Sequence, residues 1–268
     1  MIKKIIFILA AAFIIEGCAK VPLSGRRQLS IIGNSEILPM SYEQYDQVKA
    51  ESNLVTNTAE GQMVVNAGNR IAKAVETYLQ ERGYDDVTEG FAWEFHLIES
   101  DQINAWAMPG GKVAFYTGIM PIAQNETGVA VIMGHEVAHA IANHARERMS
   151  QGLVANGLVG GLQVAMGQNP SMTQQIFLQA VGYGGQVGML KFSRDQELEA
   201  DELGLTFMAI AGYDPREAPV FWQRMEAAAG GGQRPPEFLS THPGPNRRIE
   251  QLNKMMPDAL EYYNKNRR

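Results

Sequence analysis

Cysteine is nearly missing from this sequence: one residue, Cys18, stands among 268. A single cysteine excludes an internal disulfide. It also excludes the multi-cysteine zinc clusters, so any metal site must be built from histidine and carboxylate. An excess of positive charge is missing too. The formal net charge is −6 at pH 7, which leaves no electrostatic footprint for nucleic acid and predicts none as a partner. Beyond the N-terminus no run reaches the roughly 18 apolar residues of a membrane-spanning helix, and no internal repeat is visible. What is present is ordinary globular composition, 45% hydrophobic and 19% charged. That excludes a disordered chain and suffices for a sizeable core.

The first 18 residues read MIKKIIFILAAAFIIEGC. Lys3 and Lys4 precede an unbroken apolar run from Ile5 to Ile15, short for a bilayer but suited to the centre of a signal peptide. Cys18 follows Gly17 where that run ends, as in a bacterial lipoprotein signal, although Glu16 departs from the usual small or apolar residue. A plain signal peptide or an uncleaved anchor is the alternative. Residues 1–17 are expected to be a lipoprotein-type signal peptide and Cys18 the lipidated residue that anchors the chain to a membrane. Ala19, rather than Asp, favours the inner leaflet of the outer membrane, facing the periplasm. Residues 18–35 read as a tether and 36–268 as one catalytic domain.

Along that domain, Met63, Val64, Ala67, Ile71, Ala74, Val75, Tyr78 and Leu79 recur at helical spacing and predict one buried helix face ending near Gly83. Residues 91–98 and 112–117 read as strands that neighbour each other in a small sheet, with Pro109-Gly110-Gly111 as turn chemistry between. Asn125 is a helix N-cap, with helix from Thr127 to about Met149. Residues 151–190, rich in Gly and Met, read as part helix and part mobile segment, either a lid over a cleft or a loosely packed helical hairpin. A further helix spans residues 194–211.

The chemistry is concentrated in His135-Glu136-Val137-Ala138-His139. On an α-helix, positions i and i+4 lie about 40° apart around the axis, so both imidazoles reach one ion, and Glu136 sits close enough to exchange a proton with a water beside it. Val131, Ile132, Ala138 and Ala142 make this helix apolar. Burying two histidines and a glutamate there is costly without a compensating partner. A catalytic zinc takes a third protein ligand. The candidate lies in Glu197-Leu198-Glu199-Ala200-Asp201, where Glu197 binds the metal and Asp201 accepts a hydrogen bond from a ligand imidazole. Taken alone, this stretch reads more readily as an acidic solvated helix face than as a metal site, and Glu199 is expected to be that. His144, nine residues after His135 on one continuous helix, points the opposite way and is not a co-ligand. His96 is expected to face solvent.

H-E-V-A-H followed 58 residues later by E-L-E-A-D resembles the family of the HtpX heat-shock peptidases, the mitochondrial Oma-type peptidases and the CAAX prenyl proteases. Asn104-Ala105 through Pro109-Gly110-Gly111 is similar to that family's segment ahead of the zinc helix, and Thr241-His242-Pro243 through Arg247-Arg248-Ile249 to its segment after it. The likeness covers roughly residues 25–255. Its size and signal imply a small periplasmic lipoprotein member. The resemblance implies an α+β, mainly helical zincin-type domain (a gluzincin) with a small sheet. It implies one Zn²⁺ per chain on His135, His139 and Glu197, with Asp201 orienting a histidine. It brings His242 into the site, to stabilise an oxyanion or to fill the fourth zinc position and hold the enzyme latent; a surface loop histidine is the alternative. Arg247 pairs with a site carboxylate or is solvated.

A peptidase of this kind holds an extended substrate by strand addition, for which Asn104, Ala105, Trp106, Ala107 and Met108 form the candidate edge. The expected function is endoproteolysis of periplasmic or outer-membrane proteins, unfolded or misassembled, with Glu136 as base. One rival is a zinc-bound chaperone or assembly factor in which proteolysis is rare. Another is a structural zinc protein with four closed ligands, in which Glu136 is dispensable.

Overall fold

A computed structural model describes residues 18–158, 162–183, 193–231, 238–239, 242 and 245–267. The expected signal peptide lies outside the described residues. Where the sequence suggests a tether, the chain forms an antiparallel hairpin of β1 (Cys18–Lys20) and β2 (Arg27–Leu29), with Cys18 opposite Leu29. Val21, where β1 enters the turn, is buried in the main core. The hairpin leads into α1 (Asn34–Glu51) and α2 (Ala59–Gln80). Thr58 caps α2 by accepting from Gly61 N, and Val64, Ala67, Ile71, Val75 and Leu79 form its buried stripe, as the spacing predicts.

Three strands follow, β3 (Glu94–Ile98), β4 (Ala105–Met108) and β5 (Lys112–Tyr116), in the order β3-β5-β4. β3 is parallel to β5 and β4 antiparallel to it. The two expected strands are therefore neighbours, and β4 lies at an edge. The turn between β4 and β5 needs its glycines. Gly110 and Gly111 both have positive φ, +84° and +81°, and a Cβ on either would collide with the ring of Tyr42 or Trp93. The sheet separates two cores. Phe95, Leu97, Ala105, Ala107, Val113 and Phe115 face the larger one, and Ile98, Trp106, Met108 and Ala114 the other.

The short α3 (Met120–Ala123) precedes α4 (Glu126–Ile141), whose N-cap Asn125 accepts from Gly128 N at 3.0 Å. Every residue of α4 from Gly128 to Ile141 is buried, as expected for a helix that is apolar all round. It does not run on to Met149. Asn143 adopts the left-handed conformation, φ 57° and ψ 33°, which ends α4 and starts α5 (His144–Ala155) on a new axis. α6 (Leu162–Gln168) and α7 (Pro170–Val181) fall in the segment expected as lid or hairpin. They form a helical pair whose Ile176, Phe177, Ala180 and Val181 are buried in the second core, while Val164 and Met166 of α6 are exposed. Residues 184–190 of that segment lie outside the described residues.

α8 (Arg194–Ile210), α9 (Glu217–Gly231) and α10 (Pro245–Asn266) complete the order. α4 and α8 cross in backbone contact: a Cβ on Gly134 would lie 2.6 Å from the carbonyl oxygen of Gly204. Two glycines at the crossing let the helices approach this closely. That approach sets the acidic face of α8 beside His135. Among the described residues no helix is long and apolar enough to cross a membrane.

Candidate metal centre

His135, His139 and Glu197 converge with His242, and one ligand atom from each lies within 4.8 Å of the others. His135 Nε2 is 3.0 Å from His139 Nε2 and 3.3 Å from His242 Nδ1. Glu197 Oε1 is 3.0 Å from His242 Nδ1 and 3.5 Å from His139 Nε2. Metal–nitrogen bonds of about 2.0–2.1 Å at tetrahedral angles would space ligand atoms by about 3.3 Å. The donor set therefore fits a four-coordinate ion. All four residues are buried. Burial pushes the His139 and His242 imidazoles down, His242 to about 4, which keeps them in the neutral form a metal needs. Burial alone would raise Glu197. The polar groups around it outweigh that burial, the Arg248 guanidinium at 2.7 Å among them, and hold the carboxylate ionised.

Glu136 behaves in the opposite way. Burial, and next the Glu197 charge, push its carboxyl well above the usual range. Its Oε1 has no hydrogen-bond partner among the described residues, while Ala107 of β4 donates its backbone N–H to the carboxylate. His242 Nε2 stands 3.6 Å from Oε1. A buried oxygen left unpaired beside a convergent donor set is a group arranged for a visiting proton.

His135 turns its other nitrogen to Asp201, with Nδ1 3.1 Å from Oδ1. The role expected of Asp201 thus has its geometry, and Asp201 is itself clamped. The residue that clamps it is Arg248, whereas its neighbour Arg247 is exposed. Arg248 donates to Asp201 through Nε at 2.6 Å and Nη2 at 2.5 Å, and to Glu197 through Nη1 at 2.7 Å. It also lies 3.5 Å from the ring centroid of Trp222. Leu252, one turn on, and Ala259 share the buried face of α10 with Arg248.

Two histidines and one glutamate differ from expectation. His144 is fully buried, with Nδ1 2.8 Å from His139 Nδ1. It stays outside the ligand set, but the break at Asn143 overturns the single-helix geometry that turned it away. Glu199 is not solvated; at 7% exposure it accepts from His144 and Arg26 and contacts Ser24. His96 is half-buried, 2.9 Å from Glu94 and stacked on Tyr45.

Of the candidate edge, Trp106 and Met108 point into the second core, away from the metal helix. Tyr116 N donates to Asn104 O, so the alternation of an antiparallel pair turns the backbone groups of Ala105 and Ala107 outward to the open edge. The Asn104 side chain accepts from Ala105 N. Phe238 N donates to Ile103 O on that same edge, and the Phe238 ring stacks on His242 at 4.4 Å.

Residues 67–256 match the model of Peptidase family M48. The chain belongs to that family. Among curated M48-like relatives, it is 30% identical to the Mitochondrial metalloendopeptidase OMA1 of Schizosaccharomyces pombe over 89% of this chain and 66% of the relative. Against the protein of the same name from Saccharomyces cerevisiae the identity is 30%, over 91% and 70%. Against the Beta-barrel assembly-enhancing protease of Escherichia coli it is 32%, over 63% of this chain and 36% of the relative. The chain thus spans about two thirds of the yeast relatives and about a third of the bacterial one. Its fold is that of an M48 metallopeptidase, with a cluster of His135, His139, Glu197 and His242 that could hold a metal ion.

Proposed function

We propose that this chain is a zinc-dependent endopeptidase of a bacterial envelope, acting on unfolded or misassembled proteins there. The observation that carries the peptidase reading is Glu136, buried, raised in pKa and unpaired at Oε1 next to the four convergent donors. Imidazole and carboxylate donors at tetrahedral spacing suit zinc among the available divalent ions. When bound on His135, His139 and Glu197, zinc supplies Lewis-acid polarisation of the scissile carbonyl and a lowered pKa for water. Glu136 takes a proton at Oε1 and returns it to the leaving amine; its raised pKa suits both steps. The outward carbonyls of Ala105 and Ala107 offer acceptors to an extended substrate, which binds without demanding much sequence, while their N–H groups are held by Asn104 and Glu136.

The envelope location is supported by the positive, apolar and cysteine-ended N-terminus and by likeness to the E. coli protein named for β-barrel assembly. Lipidation of Cys18 would attach the acyl chains at the first residue of the hairpin, holding the catalytic domain against the outer-membrane inner leaflet.

A second reading is favoured by His242. Its place as fourth donor, with Phe238 on the substrate edge, describes a latent metallopeptidase or a zinc-bound assembly factor with rare turnover. Metal content and casein cleavage should be measured for the full-length protein in detergent as wild type, Glu136→Gln and His242→Ala. The expected result is one zinc in each, cleavage lost in Glu136→Gln by about 100-fold or more, and faster cleavage in His242→Ala. Zinc without cleavage in wild type and His242→Ala would favour the assembly factor. No stoichiometric metal would sink both.

A further inference from the structure

The Nδ1 of His139 faces a second imidazole. It meets His144 Nδ1 at 2.8 Å, and His144 Nε2 meets Glu199 Oε2 at 2.8 Å. Glu199 in turn accepts from Arg26 Nε at 2.7 Å and from the Ser24 hydroxyl. The same guanidinium grips Glu147 through Nη1 and Nη2 at 3.1 Å and 2.9 Å, and Glu147 also accepts from Gln196 at 2.8 Å. Four separate stretches of chain meet here: the N-terminal hairpin, α4, α5 and α8. Only one proton arrangement is consistent with His139 offering Nε2 to a metal. Its Nδ1–H donates to His144 Nδ1, and His144 Nε2–H donates to Glu199.

We propose that His144, Glu199 and the Ser24–Arg26 turn are positioning residues for the metal, a relay that sets the tautomer and ring angle of His139. The claim rests on the reading of His139 as a metal ligand. Outer partners of ligand histidines raise their basicity and fix their orientation, and removing one weakens metal binding by about 10–100-fold. Here the outermost partner comes from the N-terminal hairpin, eight residues after Cys18. The segment that leads out of the expected membrane anchor is thereby built into the metal site.

The test is zinc affinity of the full-length, metal-stripped protein, measured by competition with a chromophoric chelator, for wild type, His144→Leu, His144→Asn, Arg26→Met and the double variant His144→Leu/Arg26→Met. Leucine should weaken binding by about 10–100-fold. Asparagine, whose amide keeps an acceptor near the Nδ1 position, should recover part of that loss. Arg26→Met should weaken binding about threefold to tenfold, and the double variant should lose no more than His144→Leu alone, because Arg26 acts through His144. Metal-free melting temperatures, measured alongside, would fall without any change in affinity if the cluster merely held the fold. Affinities within twofold of wild type, or losses that add in the double variant, would overturn the relay. If His144→Leu does not fold, His144→Asn and Arg26→Met decide by the same twofold criterion. Failure of wild type itself to bind zinc would remove the metal reading and the relay together, whereas binding that the variants share removes the relay alone.

Discussion

His135 and His139 sit one helical turn apart and aim at the same point, yet they are held by different architectures. His135 is braced at once by Asp201, one contact away, and Asp201 is gripped by Arg248. All three are buried among α4, α8 and α10. His139 is braced through an intervening imidazole, and its arm ends at Arg26, whose side chain is 25% exposed. Both arms follow one plan, a carboxylate clamped by an arginine, and both carboxylates come from α8. Asp201 and Glu197 lie on one face of that helix and Glu199 about 160–200° around from them. An acidic helix can serve two arms because both of its faces are covered, one by the metal helix and one by the N-terminal hairpin.

The change that should damage both arms most is Gly134→Val. Its Cβ meets the Gly204 carbonyl, so α4 must move off α8. Stoichiometric zinc should be lost, with about 3 kcal/mol or more of stability in urea unfolding. Next in size is the inner clamp. Arg248→Met leaves Asp201 and Glu197 as buried charges without their cation, and the metal-free protein should lose about 3–5 kcal/mol. Arg26→Met, at the half-exposed end of the other arm, should cost about 1 kcal/mol. Equal losses would erase the distinction between a deep and a shallow arm.

Acid provides a smaller and more selective contrast. Burial alone would raise Glu199, but hydrogen bonds from His144, Ser24 and Arg26 outweigh it and hold the carboxyl at about 2. A depressed pKa in the folded state stabilises the fold fully above the unfolded value of about 4.3, and that contribution is lost as pH falls toward about 2. The melting temperature of metal-free Glu199→Gln should therefore fall less steeply than wild type between those limits. Parallel pH profiles would show that Glu199 is not held ionised by its arm. Ser24→Ala should have the least effect, within about twofold in zinc affinity, since Arg26 still holds Glu199.

Legibility followed the range of the interaction. His135, Glu136 and His139, and likewise Glu197 and Asp201, lie within one helical turn of each other, and their common face follows from helix geometry alone. The α2 stripe and the two paired strands were readable for the same reason. The role of His144 was hidden by Asn143, whose left-handed conformation changes the helix axis in one residue. Arg248 and Arg247 are adjacent in sequence, and only the register of α10 against α8 selects between them. The hairpin was unreadable because strands of three residues carry almost no pattern.

The sequence by itself determined the chemistry: a pair of histidines and a base on an apolar helix, and a carboxylate pair on a later one, because spacing along a helix is set by covalent geometry. Only the tertiary structure decided the rest. It brought the two helices together at Gly134 and Gly204, closed the cluster with His242, chose Arg248 as the inner clamp, and laid the N-terminal hairpin over Glu199. Those contacts join residues up to 175 positions apart. They arise from the packing of whole elements, which no local pattern encodes.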